Sequence, residues 1–250
     1  MTSKINKADT LHHTDIDCKA IIEKIREENS KFFSIFIHEL RNPLALIDST
    51  IQYIETVHPE AKNFKYWDQL HDLINDMVTM TSDASILNKC YHLNNKDTNL
   101  LTLLNDMVEC YKPKALQHKL DLKLIIMPGC ETYFSSYNCD PDKIRHAISN
   151  LIKNAIEATS PGDFIHITIA YLEEDDTFQS RLSIEVSNNG APIPEDALDK
   201  IFLPFMTFKK GGTGIGLALV KKIVELHYGS IQVESSNKLT KFIILLPLQK

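Results

Sequence analysis

Three short stretches of this 250-residue chain combine residue types that could do chemistry. The first is His38-Glu39-Leu40-Arg41-Asn42-Pro43-Leu44. On a helix, His38 and Asn42 stand four residues apart and lie one above the other on one face. An exposed neutral imidazole is a nucleophile through one ring nitrogen. An adjacent carboxylate, here Glu39, can take the proton from the other nitrogen as charge develops. The second stretch is Asn150-Leu151-Ile152-Lys153-Asn154-Ala155, with two asparagines again four apart. Amide oxygens are hard donors of the kind Mg²⁺ accepts. The third is Gly211-Gly212-Thr213-Gly214-Ile215-Gly216-Leu217, running into a helix. Glycines let a backbone approach phosphates, and a helix N-terminus offers free N–H groups and a favourable dipole. No Gly-Lys-Ser/Thr follows, so it is not a Walker loop, and a loop precedes it, so it is a poor dinucleotide fingerprint. Alone, each stretch has a plainer reading: a solvated helix face, two surface amides, a hinge.

The elements that must position these residues follow from periodicity. The first 15 or so residues read as a tail. An apolar seam then runs through Phe33, Ile37, Leu40, Leu44, Ile47, Ile51 and Ile54, with steps of four and three. That is the heptad pattern of a bundle or coiled coil. Ile21, Ile22 and Ile25 fall out of phase with it. His38, Glu39 and Asn42 lie off the seam. Pro43 sits inside it, and because the seam continues we expect a kink and not an end. His58-Pro59-Glu60 breaks the helix. A second seam follows: Leu70, Leu73, Met77, Met80, Ala84, Leu87 and Tyr91. Two such helices make a hairpin, and one hairpin buries too little to stand alone, so two copies should pair as a four-helix bundle.

Leu93 to Asp97 reads as a linker, after which the period changes. Helices are expected over 100–111, 141–159 and 214–227. Strands are expected over 120–127, 164–171, 181–187, 230–234 and 241–246, with an acidic turn at Glu173-Glu174-Asp175-Asp176. The fold class is therefore α+β: a helical-hairpin dimerisation domain followed by an α/β sandwich, one sheet with helices on one face. Residues 1–27 form the tail and the start of the first helix, 28–95 the hairpin domain, and 96–250 the sandwich.

Hydrophobic residues are 43% of the chain and charged residues 24%, so a core can be buried. The net charge of −6 argues against nucleic acid as a partner. No apolar run approaches the roughly 20 residues of a spanning helix, and no signal peptide is visible, so we expect no membrane insertion. Five scattered cysteines without a CxxC suggest reduced thiols and a cytoplasmic setting.

In this order and at these distances the motifs resemble those of the two-component sensor histidine kinases, from about Glu28 to the C-terminus. Residues 36–44 resemble the family's H box, 150–155 its N box and 186–194 its adenine-binding G1 box. Residues 201–205 resemble its F box and 212–217 its G2 box. The resemblance implies a phosphoacceptor hairpin and a Bergerat-type ATP-binding domain. It implies His38 as phosphoacceptor, Glu39 as its base, and Asn42 as a group that positions phosphate or water. It implies ATP and Mg²⁺, with Asn154 as the main metal ligand and Asn150 beside it. The nucleotide site would draw on Asn150, Lys153, Asn154, Asn188, Gly190, Ile193, Phe205, Lys209, Gly212, Thr213, Gly214, Ile215, Gly216 and Leu217. Lys209, in Thr207-Phe208-Lys209, would approach the phosphates from a lid. The expected function is autophosphorylation of His38 from ATP and transfer to an Asp of a separate response regulator receiver domain, by a homodimer. No sensor domain is visible, so a separate sensory partner is expected.

One departure stands out. The family places Asp where this chain has Asn188, and Gly where it has Pro192. That Asp accepts a hydrogen bond from the adenine amino group. An uncharged amide accepts more weakly, so nucleotide binding should be weaker or altered. Two other readings compete: a phosphotransferase or phosphatase with weakened ATP use, and a non-enzymatic dimeric scaffold.

Overall fold

A computed structural model describes residues 7–89, 93–173, 179–207 and 213–248. The chain divides into two units, Met1–Lys89 and Cys90–Lys250.

The first unit is a helical hairpin. Helix α1 spans Lys7–Val57, a 3-10 turn spans Pro59–Asn63, and helix α2 spans Trp67–Lys89. The reading of a tail over the first 15 residues is corrected: α1 is already helical at Lys7. The reason is local, since no glycine or proline interrupts residues 7–42. The helix also runs through Pro43 and stops one residue before His58.

Within this unit Ile37, Leu44 and Ile51 of α1 are buried, one per heptad, against a face of α2 that includes Ile74, Thr81 and Ala84. Of the other heptad positions, Leu40 and Ile47 stay open at 40% and 46% exposure, and Phe33 and Ile54 are half-buried. On α2, Leu70, Leu73, Met77 and Met80 are exposed as well. So most of the second seam read from sequence, Ala84 excepted, is not what packs against α1. The packed stripe is rotated towards Ile74 and Thr81. Leu87 and Tyr91 lie outside the described side chains.

Two polar clusters fasten the hairpin. Near the turn, Glu55 Oε1 accepts the Trp67 indole N–H at 2.9 Å and contacts His71 Nε2 at 2.9 Å. These bonds, the indole foremost, hold the Glu55 carboxyl below its ordinary range. At the other end Asn88 Nδ2 donates to the Ser30 carbonyl at 2.8 Å and to Ser34 Oγ at 3.0 Å.

The second unit is built on a five-stranded sheet. Strand β1 (Lys96–Thr98) and helix α3 (Leu100–Gln117) come first, then β2 (Asp121–Ile126), α4 (Glu131–Ser135) and β3 (Tyr137–Cys139). Helix α5 (Pro141–Ala158), β4 (Phe164–Leu172), β5 (Arg181–Asn188) and α6 (Glu195–Leu198) follow. Helix α7 (Gly216–Leu226), β6 (Ser230–Ser235) and β7 (Thr240–Pro247) complete it. The sheet order is β2-β4-β5-β7-β6, with β2 parallel to β4 and the other pairs antiparallel. A separate ribbon pairs β1 with β3. That ribbon corrects two expectations: Lys96 and Asp97 are strand and not linker, and there are two sheets and not one. Its three-residue strands are too short to show an alternating pattern. Of the acidic turn, Glu174, Asp175 and Asp176 lie outside the described residues.

Alternation along β4 and β7 shapes the core, while β5 also buries Ser183 and Ser187 of its other face. Ile165, Ile167 and Ile169 of β4, Leu182, Ile184 and Val186 of β5, and Ile244 and Leu246 of β7 are all buried. They share the face covered by Ile144, Ile148, Leu151, Ile152 and Ala155 of α5 and by Leu219, Val220 and Ile223 of α7. The opposite face is more polar, with Lys241 Nζ reaching Glu185 Oε2 at 3.2 Å.

Candidate functional site

Helix α5 is set by its cap. Asp140 precedes Pro141, and its carboxylate accepts the Lys143 backbone N–H at 3.1 Å and the Lys143 ammonium at 2.6 Å. Asp140 also accepts the Asn94 backbone N–H at 2.9 Å. Burial pushes this carboxyl up, but those bonds together outweigh it and hold the group below its usual range. The Asp140 backbone N–H donates to Nε2 of His227 at 3.0 Å, while Nδ1 of His227 lies 2.8 Å from the Ile223 carbonyl. His227 thus joins the end of α7 to the start of α5, and burial holds its imidazole below the ordinary histidine range.

Two turns along α5, Asn150 and Asn154 sit half-buried and Lys153 is exposed. Asn150 Nδ2 donates to the His146 carbonyl at 3.2 Å, which turns its oxygen elsewhere. A Cβ on Gly216 would stand 3.1 Å from Asn150 Oδ1. The structure therefore brings one member of the asparagine pair against the first residue of α7.

The first turn of α7 has no side-chain cap. Its N–H groups form the terminus that favours an anion. Ile215 just before it is fully buried, so its side chain serves packing. Thr213 Oγ1 accepts the Ile215 N–H at 3.3 Å. Leu217, the second residue of α7, is half-buried. Gly214 has φ +66, and a Cβ there would stand 2.6 Å from the Phe205 carbonyl carbon. The Phe205 N–H donates to the Gly214 carbonyl at 2.9 Å, so the two glycine-side and phenylalanine-side motifs meet. The Phe205 side chain is exposed. Lys209 and Gly212 lie outside the described residues.

Asn188 ends β5, in line with Leu182, Ile184 and Val186 on the helix-covered face. It is 3% exposed, and its Nδ2 has no hydrogen-bond partner. Gly190 permits close approach to α5: a Cβ would stand 2.2 Å from the Ala158 carbonyl oxygen. The Ile193 N–H donates to Ser235 Oγ at 2.9 Å, and that hydroxyl pairs with Thr240 Oγ1 at 2.7 Å. Thr240 is the register partner of Asn188 and is buried. Sequence reading missed Thr240, Ser235 and His227. Only strand pairing and helix docking bring them to these places, and nothing in their local pattern signals it.

In the hairpin unit, His38 and Glu39 are 70% and 72% exposed, with Nδ1 of His38 3.9 Å from Glu39 Oε1. Nε2 is thus the nitrogen turned away from the carboxylate. Asn42 is exposed one turn on. Pro43 carries no N–H for the Glu39 carbonyl four residues back, which frees that oxygen beside His38.

Comparison with known proteins places the chain in a family. Residues 139–250 match the model described as "Histidine kinase-, DNA gyrase B-, and HSP90-like ATPase". The catalytic domain of histidine kinase ThkA is 31% identical, with 95% of that chain and 62% of this one covered at a TM-score of 0.53. The chain belongs to the sensor histidine kinases. The sensor histidine kinase ZraS of Escherichia coli (strain K12) is 30% identical over 220 residues, 84% of this chain and 44% of its own length. Full-length ShkA, solved with AMPPNP, covers 87% of this chain and 45% of its own at TM-score 0.67 and 19% identity, which speaks to fold alone. The chain spans less than half the length of the first curated relatives it matches. No helix among the described residues is long and apolar enough to cross a membrane.

Proposed function

We propose that the chain moves the γ-phosphoryl group of ATP onto His38 and then to an aspartate of a response regulator receiver domain. The observation that carries this reading is the meeting of Asn150 on α5 with Gly216 at the uncapped start of α7. It sets one amide oxygen of the kind a metal accepts beside phosphate-type N–H groups, in a chain whose other unit exposes an imidazole next to a carboxylate.

In the phosphoryl step, Nε2 of neutral His38 attacks the γ-phosphorus. A P–N bond forms, the bond to the ADP oxygen breaks, and Glu39 takes the Nδ1 proton as positive charge develops. Glu39 lies on the Nδ1 side, as that role requires. Phosphoryl transfer is mainly positioning and charge neutralisation. The first-turn N–H groups of α7 hold phosphate oxygens, and Asn42 orients phosphate or water beside His38. Among the described residues no trio of His, Cys, Asp or Glu forms a ready metal cage. The amides of Asn150 and Asn154 would hold a Mg²⁺ ion, which would neutralise phosphate charge when bound.

The chain works as a homodimer, with the open faces at Leu40, Ile47, Leu70, Leu73 and Met77 covered by a second hairpin. A separate sensory partner supplies the input. A second reading, a phosphotransferase or phosphatase with little use for ATP, draws on Asn188 in the base-binding stretch.

The test is incubation with γ-labelled ATP and Mg²⁺ beside His38→Ala and Asn154→Ala. The kinase reading expects acid-labile, base-stable label on the wild type alone. Absence of label, with label acquired from a phosphorylated receiver domain, would move the assignment to the second reading.

A further inference from the structure

Asn188 is a buried amide at the end of an apolar row, between Ile165 of β4 and Thr240 of β7. Its Nδ2 is enclosed and has no partner. A buried donor without an acceptor is costly, and such groups call for an explanation. Thr240 does not supply one by its hydroxyl, which is paired with Ser235. The segment just beyond is held rigidly, by Gly190 against Ala158 and by Ile193 on Ser235. The donor stands at the end of β5, next to this anchored segment.

We infer that Asn188 sets which purine this site takes, and that it admits 6-oxopurine triphosphates on a par with ATP. The inference rests on the nucleotide reading above. A carboxylate at this position is acceptor-only when ionised. It suits the 6-amino group of adenine and opposes the O6 of a 6-oxopurine, acceptor against acceptor. An amide carries both kinds of group. Its N–H donates to O6, and its oxygen accepts from the 6-amino group or from the N1–H of a 6-oxopurine. Sites built to hydrogen-bond one edge reject the analogue that leaves their polar groups unpaired. Asn188 removes that rejection.

Inosine triphosphate is the probe, because it differs from ATP only at the 6-position and the N1 proton. Mg·ATP and Mg·ITP are titrated calorimetrically into the wild type, Asn188→Asp and Asn188→Ala. The wild-type dissociation constants should agree within about tenfold. In Asn188→Asp the ratio should move towards ATP by roughly tenfold or more, the size of one buried polar group left unpaired. Asn188→Ala, which guards against misfolding of the charged variant, should weaken both nucleotides together. A wild type that favours ATP by more than about tenfold, an unchanged ratio in Asn188→Asp, or weakening of ATP alone in Asn188→Ala overturns the inference and leaves the kinase reading standing. Binding of neither triphosphate overturns the nucleotide reading and this inference with it.

Discussion

At the residue scale, two glycines of positive φ differ in what surrounds them. Gly214 combines φ +66 with a backbone atom 2.6 Å from any Cβ, whereas Gly129 has φ +84 and open space around it. Gly129→Ala should cost only the left-handed conformation, about 1–2 kcal/mol. Gly214→Ala should cost about 3 kcal/mol or more and lower nucleotide affinity, because the Phe205–Gly214 contact must open. Thermal melting and nucleotide titration of the pair check both statements. Type and spacing single out His38 beside Glu39, the asparagines four apart and the glycines before a helix, and the structure brings Asn150 of these against Gly216. Thr240 and Ser235 were not, because a hydroxyl in a strand or hairpin carries no local signal. Their place beside Asn188 comes from the β5–β7 register, a contact across 52 residues of chain.

At the element scale, the docking of α7 onto the start of α5 depends on a neutral His227. Its folded pKa lies below the ordinary 6.5. The folded state therefore binds fewer protons than the unfolded state as pH falls below about 6.5. Stability from this group is complete above that value and is lost on acidification from there towards the folded pKa. Melting temperature followed from pH 7.5 to 5.5 should fall in the wild type and fall less steeply in His227→Gln. Equal slopes would contradict the role given to His227. The long elements α1, α2, α5 and α7 were legible because seams and breakers extend over many residues. The ribbon β1–β3, α4 and α6 were not, since elements of three to five residues show no period. The buried stripe of α2 was misplaced because apolar residues lie on two adjacent faces of that helix, and the sequence pattern follows the wider one.

At the scale of the whole molecule, the hairpin leaves Leu73 and Met77 of α2 and Ile47 of α1 about half exposed. Apolar stripes of that length mark an interface. Sedimentation of Leu73→Lys/Met77→Lys should give a monomer where the wild type gives a dimer. A dimer that survives both lysines would place the subunit contact elsewhere. The chain divides into the units Met1–Lys89 and Cys90–Lys250, and in the sequence composition and period both change near residue 95.

The central claim is that His38 receives the phosphoryl group. The most direct measurement is peptide mapping by mass spectrometry at neutral pH after incubation with Mg·ATP. One added phosphate is expected, on the peptide containing His38 and on its imidazole. Phosphate on His58, His71 or a hydroxyl residue, with His38 unmodified, would contradict it.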